Sequence, residues 1–520
     1  MSNFPAASPL LPEVFALHGK WRASDDAVVC RNERRSWSEF VAGNHRFAHG
    51  LRAHGLNTGD RIGVFMSNSL EMLTVLFGSM AAGAVSVPLN TSVSDEAIAA
   101  MFADADIKAL AVSEEYIERL EKLRSNLDGT IVWLTPKARA GWTTIEALSA
   151  GQPASLPDAK LTPDIALNIV YSSGTTGLPK GIMHTHRGRR DWAYDLCIAL
   201  RYHGKARTLL TLGLYSNISW VAMLCTLLAG GTLVVHPRFD AAAFLETVAS
   251  ERITHTAMVP VQYQRVIEVQ EQSPRNIASM QAMMSCGSPL HERLKKSLFR
   301  NFPCGVIELF GLTEGIITTL DPEDAEGRWA SVGKPLIGTD ICLIDDHNSL
   351  CAPNEPGEIL SRGRITMPGY WNRASATEDA RYVDPSGEVW IRSGDIGYLD
   401  SEGFLYVVDR KKDMILSGGQ NIYPQDLESV LMRHPGVLEA AVVGAPSERW
   451  GETPVALVVL DDTHNDGEIS TEEVLRWANE RLGRQQRLTA CKPIGELPRN
   501  ANGKILKREL RKSVADEVWS

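Results

Sequence analysis

Between residues 61 and 112, short β-branched and apolar runs alternate with helical patterns, and the same rhythm returns after residue 185. Arg61–Met66, Val85–Leu89 and Ile107–Val112 read as strands, with helices from Ser69 and over Ser94–Ala103 between them. Thr208–Leu212, Gly231–His236 and Thr254–Val259 repeat the pattern. Strands joined through helices must pair in parallel, with right-handed crossovers. Upstream, Ser36-Trp-Ser-Glu39 forms a capping box that predicts a helix with Phe40, Phe47 and Leu51 near one face.

The texture changes after about residue 330, where Gly and Pro become frequent and short apolar runs such as Asp340–Ile344 and Glu358–Leu360 predict a β-rich region. After Arg410 a small α+β unit begins. Pro424–His434 and Ser470–Leu482 read as helices, the second opening on a Ser470-x-x-Glu473 box, and Val437–Val443 and Pro454–Leu460 read as strands. A chain of 520 residues exceeds one hydrophobic core. The expected fold class is α/β. Residues 1–410 are expected to form a large N-terminal domain of two α/β subdomains plus the β-rich region, and 411–520 a small α+β domain.

With 53 basic and 63 acidic residues the net charge is −10, which argues against a general binder of nucleic acid or anionic membrane. Eight scattered cysteines form no CxxC pair and no zinc-type spacing, as expected of buried thiols in a reducing compartment. The N-terminus has no basic segment followed by an apolar run, so no signal peptide is expected. The most apolar stretch, Ile62 to Leu89, is interrupted by Asn68 and Glu71, so no transmembrane segment is expected. Val518-Trp519-Ser520 is no peroxisomal address. A cytoplasmic location follows as the expectation.

The strongest chemical signal is Tyr171-Ser-Ser-Gly-Thr-Thr-Gly-Leu-Pro-Lys-Gly181. Glycines such as Gly174 let backbone N–H groups approach an anion, Ser172, Ser173, Thr175 and Thr176 offer hydroxyl donors, and Lys180 adds a point charge. A lone Gly/Ser loop is usually a surface turn, but this density of phosphate donors favours function. It is not a Walker A loop: Pro179 precedes the lysine and Gly181 follows it where a magnesium-binding hydroxyl belongs.

SSGTTGLPKG resembles the signature loop of the adenylate-forming superfamily, which contains acyl- and aryl-CoA synthetases, luciferases and peptide-synthetase adenylation domains. Further motifs follow in the family's order. Cys286-Gly287-Ser288-Pro289 is similar to its adenine-packing turn. Phe310-Gly311-Leu312-Thr313-Glu314 resembles its Tyr-Gly-x-Thr-Glu, implying a ring on adenine, a hydroxyl near the α-phosphate and a carboxylate for Mg²⁺. Trp390-x-x-Ser393-Gly-Asp395 implies that Asp395 accepts the ribose hydroxyls, and Asp409-Arg410-Lys-Lys412 resembles the domain junction, with Arg410 on ribose or phosphate and Lys412 at the hinge. Ser417-Gly418-Gly419-Gln-Asn-Ile-Tyr-Pro424 resembles the pantetheine channel of aryl-CoA ligases, and Arg449-Trp450-Gly451 a segment near the CoA nucleotide. Alone, these would read as a β-turn and a packed aromatic. Pro498-Arg-Asn-Ala-Asn-Gly-Lys504 implies that Lys504 bridges substrate carboxylate and α-phosphate. Where relatives carry a gating aromatic-His pair, this chain has Tyr215-Ser216.

The resemblance implies an acid–CoA ligase using ATP, Mg²⁺ and coenzyme A, with Lys504, Thr313 and Glu314 as catalytic residues and small molecules as partners. A homodimer stays open. An adenylation enzyme loading a carrier protein is the nearest alternative, but Leu214–Trp220 holds no acid for an amino group and no carrier follows Ser520. A non-catalytic nucleotide-binding module is the other. The candidate acyl pocket is Tyr215, Ser216, Trp220, Cys286, Leu312, Ile316 and Ile317. It contains no Lys or Arg, which favours an apolar monocarboxylate (fatty, aryl or alicyclic) over a diacid.

Overall fold

The computed structural model describes residues 8–127, 132–171, 179–417, 420–447, 449–461, 470–484, 486–500 and 503–515. The first predicted strands form a seven-stranded sheet in the order Thr143–Thr144, Val132–Thr135, Ile107–Val112, Arg61–Phe65, Val85–Pro88, Ala166–Tyr171, Gly181–Thr185. Its neighbours run parallel except the last pair. Serines placed at the helix starts close the expected caps: Ser36 Oγ accepts from Glu39 N at 3.3 Å, Ser69 Oγ from Met72 N at 3.1 Å and Ser94 Oγ from Ala97 N at 3.3 Å.

The second sheet has nine strands: Lys334–Pro335, Ile316–Leu320, Ile307–Leu312, Ala282–Ser285, His255–Met258, Arg207–Leu210, Thr232–Val235, Asp26–Cys30 and Glu33–Ser36 in spatial order. The two α/β units are therefore interleaved in sequence. Asp26–Cys30, from the start of the chain, pairs in parallel with Thr232–Val235, Val28 opposite Leu233. Local pattern identifies a strand but not a partner two hundred residues away.

Between the sheets lies the main core. The helix Leu70–Ala82 buries every residue but Glu71, as a helix enclosed by neighbours on all sides must. Asn68, which interrupts the apolar run, is itself buried and joins the sheets. Its Nδ2 donates to the carbonyls of Leu212 (2.9 Å) and His236 (3.0 Å), and its Oδ1 accepts from Leu214 N at 2.8 Å.

The β-rich region is an antiparallel sheet of Thr339–Ile344, Gly357–Gly363, Val389–Leu399, Arg381–Val383 and Leu405–Arg410, in which Asp395 faces Arg410 across two strands. The last sheet contains Gln420–Ile422, Ile415–Ser417, Gly451–Leu460, Val437–Ser447 and Ala490–Pro493, packed by helices Pro424–Leu431, Thr471–Asn479 and Lys507–Ala515. Among the described residues no helix is long and apolar enough to cross a membrane.

Helix Trp37–Ala53 crosses helix Ile145–Ser149 at Gly50, where a Cβ would stand 2.2 Å from the Leu148 carbonyl oxygen. Alanine normally stabilises a helix interior by about 1 kcal/mol relative to glycine. Here the clash is with backbone, which cannot swing aside, so Gly50→Ala should destabilise by about 2 kcal/mol or more. A lowered urea midpoint is expected; an unchanged or raised one would contradict the close approach.

Candidate active site

Strand Ile307–Leu312 returns as Ile316–Leu320 through a turn carrying Thr313 and Glu314. The turn requires glycine at 315, where φ is +121° and a Cβ would sit 2.6 Å from Thr366 Cα. Tyr370 donates its hydroxyl to Glu314 Oε1 at 2.9 Å, and the Lys180 ammonium lies 4.9 Å from the centre of the same ring. Trp371 N donates to Gly181 O at 2.7 Å and Met183 N to Gly369 O at 3.3 Å. Residues 369–371 thus tie the strand leaving the phosphate loop to the carboxylate turn. Ser172, Ser173, Gly174, Thr175 and Thr176 lie outside the described residues. Tyr370 was not among the sequence candidates; a Gly-Tyr-Trp loop carries no periodicity, and only its aromatic pair hinted at it.

Asp395 is almost fully buried, with Oδ1 3.1 Å from Arg410 Nε. The contact is an ion pair without hydrogen-bond alignment, because Oδ1 accepts no directed hydrogen bond. Burial raises the carboxyl above the ordinary range, and Arg410, then Lys504 and Lys412, oppose the rise. An orphaned buried acceptor suits a pair of ribose hydroxyls. Lys504 approaches from the C-terminal domain. Gly503, at φ +75°, presses on Val259 at the end of strand His255–Met258, and the loop is pinned by Asn500 Oδ1 accepting from Lys504 N at 2.9 Å. Burial, reinforced by Arg410, pushes the Lys504 ammonium down to about 8. Gln425 N donates to Asp409 Oδ2 at 2.9 Å, linking the C-terminal helix Pro424–Leu431 to the strand before Lys412.

Lys504 lines a cavity of about 260 Å³, whose described lining does not include Asp395, Arg410, Glu314 or Lys180. Its lining includes the expected Tyr215, Ser216, Cys286, Gly287, Gly311, Leu312, Thr313, Ile317 and Lys504. Ser288 and Pro289 continue the turn beyond Gly287, and Phe310 packs half-buried beside the cluster of Ile341 and Leu405. Two expected pocket residues are not in the lining. Ile316 is fully buried with Ile341, Leu343 and Ile359, because adjacent strand residues face opposite ways and Ile317 takes the cavity side. Trp220 is also fully buried: Ile218 and Val221 share the cavity face of their helix, and Trp220 is turned away from it. The sequence reading missed Trp192, Val170, Met101 and Asn500, which the fold brings in from separate elements.

Ser216, in place of the gating histidine, caps helix Asn217–Ala229 by accepting from Ile218 N at 3.3 Å. Burial pushes the Cys286 thiol and the Tyr215 hydroxyl up to about 12 each. Both are neutral at pH 7, so neither is an ionised nucleophile. In the C-terminal domain Ser417 pairs with Gly451, the neighbour of the exposed Trp450, and Arg449 lies over that indole at 4.6 Å from its centre. Gly418 and Gly419 lie outside the described residues.

Residues 18–371 match the family model for AMP-binding enzymes, and residues 426–504 the model for the AMP-binding enzyme C-terminal domain. The long-chain-fatty-acid–CoA ligase FadD13 of Mycobacterium tuberculosis is 32% identical over 490 residues, covering 93% of this chain and 94% of that protein. The 2-succinylbenzoate–CoA ligase of Bacillus velezensis is 31% identical over 488 residues, covering 93% and 94%. The ATP-bound structure of MatB from Rhodopseudomonas palustris superposes with a TM-score of 0.88 at 27% identity, covering 97% of this chain and 99% of that one. With both family models matched in order along one chain, this protein belongs to the AMP-binding enzymes, the adenylate-forming acyl- and aryl-CoA ligases.

Proposed function

We propose that this enzyme converts a carboxylic acid, ATP and CoA into acyl-CoA, AMP and pyrophosphate through an acyl-adenylate. The observation that carries the reading is Lys504: a loop of the C-terminal domain brings it, with Asn500, into the wall of a cavity whose other described lining residues come from the N-terminal domain, within electrostatic reach of the Asp395–Arg410 pair. There it neutralises the repulsion between an entering carboxylate and the α-phosphate. Attack of a carboxylate oxygen on the α-phosphorus forms the mixed anhydride and expels pyrophosphate. The CoA thiolate then attacks the acyl carbonyl and releases AMP.

Asp395 holds the ribose, Phe310 and the Gly287–Pro289 turn flank the base, Thr313 and Lys180 with the 172–176 loop hold phosphate, and Arg410 balances Asp395. Among the described residues no cluster of three metal-binding side chains exists. A single carboxylate, Glu314, suits Mg²⁺, which binds through one or two carboxylates with phosphates and water. When bound, Mg²⁺ supplies charge neutralisation at the departing pyrophosphate. For the second step the small domain, residues 411–520, turns about Lys412, carrying Lys504 out and Ser417, Gly418, Gly419 and Trp450 towards the adenylate. The cavity lining, largely apolar with Lys504 its only Lys or Arg, favours an acid with an apolar body.

Lys504→Ala should slow adenylation by roughly 10²–10³-fold, the loss typical of one transition-state donor. Given synthetic acyl-AMP and CoA, it should form thioester at a near-normal rate. Equal loss of both half-reactions, with the fold intact, would refute domain alternation.

The Lys504 ammonium must be charged to draw the two anions together. It is charged below its pKa of about 8 and loses that charge as pH rises through it. In adenylation, kcat/KM for the acid should therefore fall on the alkaline side near pH 8, and Lys504→Arg should move that limb upward. A flat profile to pH 9.5 in the parent enzyme would contradict the assignment.

A further inference from the structure

Behind the acid cavity lies a cluster of hydrogen-bond donors that the reaction described above does not use. Val170 lines the cavity from strand Ala166–Tyr171, and Trp192 from helix His186–Ala199. Two residues back along the strand, on the same face and about 7 Å deeper, is Asn168. Three residues back along the helix, again on the same face, is Arg189. These two meet: Arg189 Nε donates to Asn168 Oδ1 at 3.1 Å. The guanidinium stacks on Trp192 at 4.6 Å and on Trp220 at 5.4 Å from the ring centres.

Arg189 is 1% exposed, yet among the described residues Nη1 and Nη2 have no hydrogen-bond partner, nor do Asn168 Nδ2 and Trp220 Nε1. All four are N–H donors. His184, opposite Asn168 in the sheet, is also buried and is held neutral, first by burial and then by the Arg189 charge. The buried carboxylate on the same helix, Asp195, is engaged by Arg364 instead. Burial alone moves the Arg189 guanidinium, down to about 9, with no carboxylate compensating. Ser86 Oγ and His184 Nε2, opposite Asn168 on the neighbouring strands, are also without partners among the described residues. A buried guanidinium without a carboxylate, with two of its N–H groups and those of Asn168 and Trp220 left over, is complemented by an oxyanion or carbonyl that accepts several hydrogen bonds.

We propose that the acid site continues past Trp192 to Arg189, and that the substrate has an apolar body bearing a second acceptor, a carboxylate or a carbonyl, at the end distal to the reacting carboxylate. Trp192 is the wall between the two compartments and turns aside for the distal group. Asn168 holds Arg189 in place, and the Trp220 indole adds a further donor. This deepens the ligase reading and rests on it.

The test uses the full-length enzyme with sets of acids of matched length ending in carboxylate, methyl ketone or methyl, assayed by AMP release. The parent enzyme should favour acceptor-ended acids over methyl-ended ones by about 10²-fold in kcat/KM, the scale on which a site built to hydrogen-bond a group rejects analogues lacking it. A preference for carboxylate over ketone identifies an anion site, and equal use a neutral acceptor site. Arg189→Met should abolish the preference by raising KM for acceptor-ended acids, leaving the KM values for ATP and CoA unchanged. Trp192→Ala, which opens the wall and keeps the guanidinium, should retain it. A parent enzyme that prefers methyl-ended acids, or an Arg189→Met variant that changes every acid alike, overturns the proposal alone. No AMP from any acid overturns the ligase reading with it.

Discussion

Two anions must meet in this enzyme, and the energetics of that meeting set what the rest of the fold has to supply. Unit charges about 4 Å apart near a protein surface interact by roughly 4 kcal/mol, enough to keep a carboxylate away from a triphosphate unless a cation stands between them. In the mechanism proposed above Lys504 is that cation, and it comes from a different domain than most of the cavity lining. The cost of placing it is visible in the depression of its pKa to about 8. The docking of Gly503 against Val259, the Asn500 bond to Lys504 N and the Gln425–Asp409 link all serve to hold that ammonium in position.

The large domain contributes what does not move. Both parallel sheets direct strand ends at the cavity, Val170 and Tyr171 from one and Leu309 to Thr313 from the other, and Asn68 fixes one sheet against the other. Tyr370 connects Lys180 and Glu314, which lie far apart in the sequence, bonding Glu314 through its hydroxyl and facing the Lys180 ammonium with its ring. The antiparallel sheet adds the cross-strand pair Asp395–Arg410. In the proposed mechanism nucleotide recognition is thus divided among three sheets.

Much of this was legible in the sequence, for physical reasons. Local signals survive folding: the Ser36, Ser69, Ser94 and Ser470 caps start the helices expected of them, and strands such as Ile107–Val112 fall where β-branched runs lie. Of the motif residues at strand ends and turns, Thr313 and Lys504 line one cavity, and Asp395 lies within electrostatic reach of Lys504. What the sequence hid is long-range. Nothing local shows that Asp26–Cys30 crosses into the second sheet, or that Ile317 rather than Ile316 faces the acid. Trp192 and Arg189 looked like an ordinary helix face. Only the stacking of strand and helix residues in matched layers shows that one lines the cavity and the other waits behind it.

Attack by a substrate carboxylate on the α-phosphorus makes a prediction about the fate of one oxygen atom. When an acid labelled with ¹⁸O in its carboxylate is turned over with ATP and CoA, the C–O–P bridge of the adenylate retains a carboxylate oxygen, and thiol attack at the carbonyl leaves that oxygen on phosphorus. Mass analysis of the products should find a single ¹⁸O in AMP and none in pyrophosphate. Unlabelled AMP, or label in a phosphate released alongside ADP, would contradict the account.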